Sequence, residues 1–127
     1  MGWNNKNWIY LTIAIGGFIG TVCRYLIGLL PFEMESGFPV KTLTINVIGA
    51  FLISLIAAIA AENKSFPPQV ALMLRVGICG GFTTFSTFAY ESADLMKNGQ
   101  TVAAFAYICI SVVLGVAAVF AAQMLVR

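Results

Sequence analysis

Apolar residues fall into four blocks of bilayer length, and the polar residues between them form short clusters rich in proline, glycine or charge. The first block extends from about Trp8 to Leu30 and stops at Pro31, with Glu33, Glu35, Ser36 and Gly37 behind it. The second, about 43–61, is entered through Pro39 and Lys41 and closed by Glu62, Asn63 and Lys64. Pro67 and Pro68 punctuate a short connection to the third block, about 70–96, whose middle from Gly77 to Thr87 is crowded with glycines and hydroxyls. Lys97, Asn98 and Gly99 make the next turn, and the fourth block, about 102–126, carries no charge before Arg127. A run of roughly 20 apolar residues crosses the hydrocarbon layer as a helix. The pattern therefore predicts an all-α membrane protein, residues 1–127 forming a single transmembrane domain of four helices. Trp3, Trp8 and Tyr10 fall where aromatic side chains meet the headgroups.

The third block departs from an ordinary span. Gly77-Ile78-Cys79-Gly80-Gly81-Phe82-Thr83-Thr84-Phe85-Ser86-Thr87-Phe88 places three glycines before four hydroxyls. Glycine lowers helix propensity, and irregular backbone at membrane depth survives only where protein or a cavity surrounds it. A break in this helix is expected. Its carbonyls are then available to a cation, as in transporters with discontinuous helices.

Composition strengthens the membrane assignment. Of 127 residues, 60% are hydrophobic and 9% charged, against roughly 25% charged in soluble domains. The mean hydropathy is +0.92. A net charge of +2 without any basic run excludes a nucleic-acid footprint. There is no histidine, and Cys23, Cys79 and Cys109 lie scattered through apolar blocks, so zinc and haem sites lack ligands. These cysteines read as small apolar core residues. Only Lys6 precedes the first block as a charge, no small-residue cleavage site follows, and the block exceeds a signal-peptide core. It is expected to remain as a span.

Loop charge barely selects an orientation. With four spans, Lys6, Lys64 and Arg127 share one side while Lys41 and Lys97 occupy the other. Either the chain inserts both ways and pairs with an inverted copy, or factors other than loop charge set one orientation.

Ionisable and polar groups inside spans mark function by default. Arg24 lies about 24 Å along the first helix from Trp8, either snorkelling as an anchor or lining an aqueous vestibule. Gly16, Gly20, Arg24 and Gly28 recur every four residues, a stripe that lets another backbone approach closely. Asn46, within Leu43-Thr44-Ile45-Asn46-Val47-Ile48-Gly49, is either interhelical glue or a donor to a passing anion, with Thr42 one turn earlier on the same face. Phe85 and Phe88, three apart, present two rings on one face; they are an aromatic packing face or a pair of positive ring edges for an anion. Thr84, Thr87 and Glu91 follow the neighbouring stripe. The roles of Glu91 and Arg75 stay open.

In these segments the chain resembles the CrcB, or Fluc, family of fluoride channels along nearly its whole length. Gly80-Gly81-Phe82-Thr83-Thr84-Phe85-Ser86-Thr87-Phe88 carries the likeness, supported by Gly16-Gly17 through Gly20 to Arg24 and by Thr42-Leu43 through Asn46 and Gly49. The resemblance implies an antiparallel, dual-topology homodimer in the cell membrane, of the bacterial inner-membrane type. It implies an ion channel and not an enzyme, with two fluoride pores that lower cytoplasmic fluoride and one structural sodium ion at the centre. By position, backbone carbonyls of Gly80 and Thr83 resemble the sodium site. Asn46, Phe85, Phe88, Ser86, Thr87 and Thr42 resemble the pore lining, and Arg24 the vestibule cation. In the fourth span, where relatives place a polar group, Ser111 and then Gly115 stand here; Ser111 is the candidate, with Tyr107 a second. The partners implied are fluoride, a second copy of the chain and the lipid bilayer.

A small four-helix multidrug exporter is the alternative of the same size and assembly. That class depends on a carboxylate deep in the first span, where this chain has Arg24 and no acid.

Overall fold

The computed structural model describes residues 4–127, and these are helical throughout apart from short connections, with no strand among them. Trp3 lies outside the described residues. Four helical passes are long and apolar enough to cross a membrane: Asn5–Gly28, Val40–Glu62, Pro68–Lys97 and Thr101–Val126. The first is α1, the second α2. The third pass is composite, with α3 (Pro68–Leu72), a π-helical segment (Met73–Cys79), α4 (Gly80–Phe82) and α5 (Phe85–Lys97). The last pass is α6 (Thr101–Val126).

Local chemistry sets the ends of these helices. Asn4 caps α1, its side-chain oxygen accepting from the Asn7 amide at 3.1 Å. At the other end of α1 the Gly28 carbonyl, which has no helical donor left to it, accepts from Lys41 Nζ at 2.9 Å. Pro68 opens α3 at a position where its missing N–H costs nothing. Gly99, at φ +80°, closes α5 in the left-handed conformation. Its amide reaches the Met96 carbonyl at 3.1 Å while the Gln100 amide reaches Leu95 at 2.8 Å, the paired bonds of a Schellman motif.

Glycine determines how α1 meets the third pass. Gly16 and Gly20 are buried, and Gly77 faces Gly16 from the π-helical segment. A Cβ on Gly16 would lie 2.7 Å from the Met73 carbonyl oxygen, and one on Gly81 would lie 2.6 Å from that of Gly17. One on Gly20 would strike the Ile78 carbonyl. The two backbones therefore touch, with close packing doing what the hydrophobic effect cannot do in lipid. The four-residue stripe is a packing face at Gly16 and Gly20, whereas Gly28 opens onto free space.

On the other side α2 packs chiefly along α6. Ser54 Oγ donates to the Val119 carbonyl at 2.9 Å between them, and Ala118 and Ala122 are buried there. The densest cluster sits where α5 meets α6: Leu95, Ala104 and the fully buried Tyr107, with Phe38, Leu43 and Phe88 against them. Many large apolar side chains face outward, among them Phe18, Val102, Phe120 and Leu125. In lipid that exposure is favourable.

Candidate functional site

Helical bonding in the third pass stops at Phe82 and resumes at Phe85. Thr83 (φ −79°, ψ 156°) and Thr84 (φ −149°, ψ 110°) are extended. Two side chains from other helices satisfy this stretch. Asn46 of α2 grips Thr84 twice, accepting from its amide at 2.8 Å and donating from Nδ2 to its carbonyl at 3.1 Å. Arg24 of α1 donates from Nε to the Gly81 carbonyl at 3.2 Å. Thr83 turns its hydroxyl back to the Cys79 carbonyl at 2.9 Å and seats its methyl group over Gly49.

Following the amides shows which carbonyls this leaves. In a continuous α-helix the Thr84 amide would donate to Gly80 and the Thr87 amide to Thr83. Here the Thr84 amide goes to Asn46, and the Thr87 amide goes to the Thr84 hydroxyl at 3.2 Å. The carbonyls of Gly80 and Thr83, the pair singled out by the family resemblance, have thus lost their helical donors to side chains. Gly80 is exposed and Thr83 half-buried. Neutral carbonyl oxygens are the donor type that suits a hard monovalent cation.

Two cavities flank the Thr84 backbone. One is a groove of about 380 Å³ lined by Asn46, Gly49, Thr83, Thr84, Phe85, Phe88 and Ser111, with aliphatic side chains from α2 and α6. The Phe85 and Phe88 rings stand 5.9 Å apart at 48°. Phe88 also meets the Tyr107 ring at 5.1 Å, whereas Phe85 is 79% exposed. The Ser111 hydroxyl is buried and has no hydrogen-bond partner among the described residues. This buried hydroxyl without an acceptor belongs to a residue of the groove wall.

The other cavity, about 420 Å³, lies between α1, α2 and α5 and is lined by Thr21, Arg24, Lys41, Thr42, Thr84, Thr87 and Glu91. Thr84 Oγ1 and Thr87 Oγ1 are hydrogen-bonded at 2.9 Å, forming a short track of hydroxyls along its wall. Glu91 continues the track, accepting from the Tyr107 hydroxyl at 3.3 Å, and both face Thr42.

The sequence candidates separate accordingly. Asn46, Phe85, Phe88 and Ser111 meet at the groove, and Arg24, Thr42 and Thr87 at the polar cavity. Ser86 is exposed and lines neither of these two. Asn46 performs as interhelical glue, and one of its two Nδ2 hydrogens remains to be offered elsewhere. Arg24 takes a course that neither sequence reading foresaw, a hydrogen bond to the interrupted backbone. Arg75 lies exposed on the π-helical segment. The pairing of Glu91 with Tyr107 was not read from sequence, although Glu91 falls on the Thr84–Thr87 stripe and Tyr107 is a polar ring in an apolar span.

Comparison with known proteins bears on this arrangement. The family described as "CrcB-like protein, Camphor Resistance (CrcB)" matches residues 11–123. The chain is 46% identical over 119 residues to the protein named fluoride-specific ion channel FluC 1 of Nitrobacter hamburgensis, covering 92% of this chain and 94% of the relative. It is 41% identical over 118 residues to the fluoride-specific ion channel FluC of Chlorobaculum tepidum, covering 92% and 93%. A FluC of Leptospira interrogans is 41% identical over 122 residues.

Proposed function

The chain belongs to the CrcB family, and from that premise we propose that it is a fluoride-selective channel of the cell membrane that lets fluoride leave the cytoplasm. The observation that carries this reading is the groove lined together by Asn46, Phe85, Phe88 and Ser111, whose buried hydroxyl has no partner among the described residues. Fluoride is small and strongly hydrated, so its water must be replaced by closely placed donors. Asn46 offers its second amide hydrogen and Ser111 its hydroxyl, and the two rings offer positive edges. None of these four carries a fixed positive charge that would trap the ion. From the groove, Thr87 and Thr42 extend the donors toward Glu91 and Tyr107, with Thr84 lining both cavities.

The working unit in this reading is an antiparallel, dual-topology homodimer with two pores. The outward Phe85 ring and the open face of the groove are what a second copy would cover. Near-equal loop charge is consistent with insertion in both orientations. A structural sodium ion fits the carbonyls of Gly80 and Thr83, whose helical donors are engaged elsewhere, with the inverted copy supplying the same pair. A bound cation there would neutralise carbonyl dipoles left unpaired in a place that the second copy would close to water.

The test is fluoride release from liposomes containing the purified protein, followed with a fluoride electrode and with chloride as the control anion. Rapid fluoride release without chloride release is expected. Equal passage of both anions, or of neither, refutes the assignment.

A further inference from the structure

The mouth of the polar cavity is built around Lys41. Its Nζ donates to the Gly28 carbonyl at 2.9 Å and pairs with Glu33 Oε1 at 2.9 Å, 5.9 Å from the centre of the Phe32 ring. The Lys41 side chain is 18% exposed, that of Glu33 79%. Lys41 lines the 420 Å³ cavity and also a smaller one of about 210 Å³ formed by the connection between α1 and α2. Glu91 lines both as well. These two side chains therefore stand at the boundary between the hydroxyl-lined interior and the connecting loop.

Charge gives the position its meaning. The smaller cavity contains two carboxylates, Glu33 and Glu91, and Lys41 is the one cation among its lining residues. An anion passing there without Lys41 would meet only negative charge. Arg24 is about one helical turn deeper along α1, its Nε turned to the Gly81 carbonyl. We infer that Lys41, pinned by Gly28 and partly offset by Glu33, is the positioning cation that draws fluoride to the Thr42 and Glu91 end of its path. Glu33 sets how much of that charge the anion feels, so the pair acts as a matched collar. Anchoring on a backbone carbonyl keeps the ammonium at the rim, where it attracts the ion without following it inward.

The inference rests on the fluoride-channel reading, and its test separates the two. Fluoride release is measured for the wild type, Lys41→Gln, Lys41→Arg and Glu33→Gln in sodium salts of an impermeant anion. Ionic strengths of about 0.01 M and about 1 M are used, where the screening length is about 30 Å and about 3 Å. At low ionic strength Lys41→Gln should fall about threefold or more, Glu33→Gln should rise about twofold, and Lys41→Arg should match the wild type. At high ionic strength all four should converge. A Lys41→Gln loss that is the same at both salt concentrations would make the residue a helix-end clamp only and overturn the inference, as would no loss at all. Those two outcomes leave wild-type fluoride release intact. Wild-type liposomes that hold their fluoride overturn the channel reading, and this inference with it.

Discussion

Asn46 and Thr84 are joined by two hydrogen bonds, the side-chain oxygen accepting from the Thr84 amide at 2.8 Å and Nδ2 donating to the Thr84 carbonyl at 3.1 Å. One side chain thus replaces the helical partners of an extended residue and fixes where the third pass bends away from helix. Asn46→Ala would remove both hydrogen-bond partners of the Thr84 backbone at once, a loss of about 2 kcal/mol. The thermal midpoint in detergent and the fluoride flux should fall together. If flux falls while the midpoint is unchanged, the amide serves only the ion and the clamp is unimportant.

Gly20 and Gly28 lie on one stripe of α1 yet face different surroundings. A Cβ on Gly20 would meet the Ile78 carbonyl and come within 2.9 Å of the Phe82 amide nitrogen. Backbone cannot yield as a side chain can, so Gly20→Ala should cost about 2 kcal/mol or prevent folding. Gly28→Ala enters open space and should be neutral or gain up to about 1 kcal/mol in helix propensity. Thermal unfolding of the two variants side by side checks the contrast. Equal losses would mean that the close approach of α1 to the third pass is not what makes Gly20 necessary.

Phe85 and Phe88 should differ in stability and agree in flux. Phe88 packs on Tyr107 at 5.1 Å, so Phe88→Ile should lose about 1 kcal/mol of ring contact. Phe85 is 79% exposed, and Phe85→Ile should leave the stability of the single chain nearly untouched. Both variants keep apolar bulk without a ring edge and should strongly reduce fluoride release. Normal flux in both would return the rings to a packing role.

The four passes are legible in the sequence because an apolar run of bilayer length has few other stable homes in a chain so poor in charge. The turn at Lys97-Asn98-Gly99 is legible for a similar local reason, since Gly99 supplies the positive φ that the end of α5 requires. The π-helical segment is not legible. Met73–Cys79 contains ordinary residues apart from Gly77, and that glycine faces Gly16 on another helix, beyond the reach of any local pattern. Arg24 is a parallel case: its residue type announces an expensive charge within a span, while its acceptor, the Gly81 carbonyl, is 57 positions away. Lys41 reads as a loop charge in the sequence, and only the fold brings the Gly28 carbonyl and Glu33 to it.

Ser111 offers a separation of function from stability. Its hydroxyl is buried without a partner, so removing it relieves a desolvated polar group instead of breaking a bond. Ser111→Ala should therefore keep or slightly raise the thermal midpoint, by up to about 1 kcal/mol, while lowering fluoride release. A drop in stability of the same size as for Asn46→Ala would show that Ser111 has a structural acceptor in the assembled protein, and the donor role would be withdrawn.

Sodium removal tests the carbonyl pair directly, because a backbone site is hard to delete by changing side chains. If Gly80 and Thr83 from two inverted copies hold one ion, its loss exposes unpaired carbonyl dipoles at the centre of the assembly and weakens the contact between copies. Exchanging sodium for a large organic cation that cannot fit among backbone oxygens should slow or abolish fluoride release. It should also shift the dimer toward monomer in detergent, and restoring sodium should reverse both effects. Fluoride movement and dimer content that survive exhaustive sodium removal would defeat the assignment of Gly80 and Thr83. The extended Thr83 and Thr84 would then stand as wall of the groove alone, held by Asn46 whether or not a cation is bound.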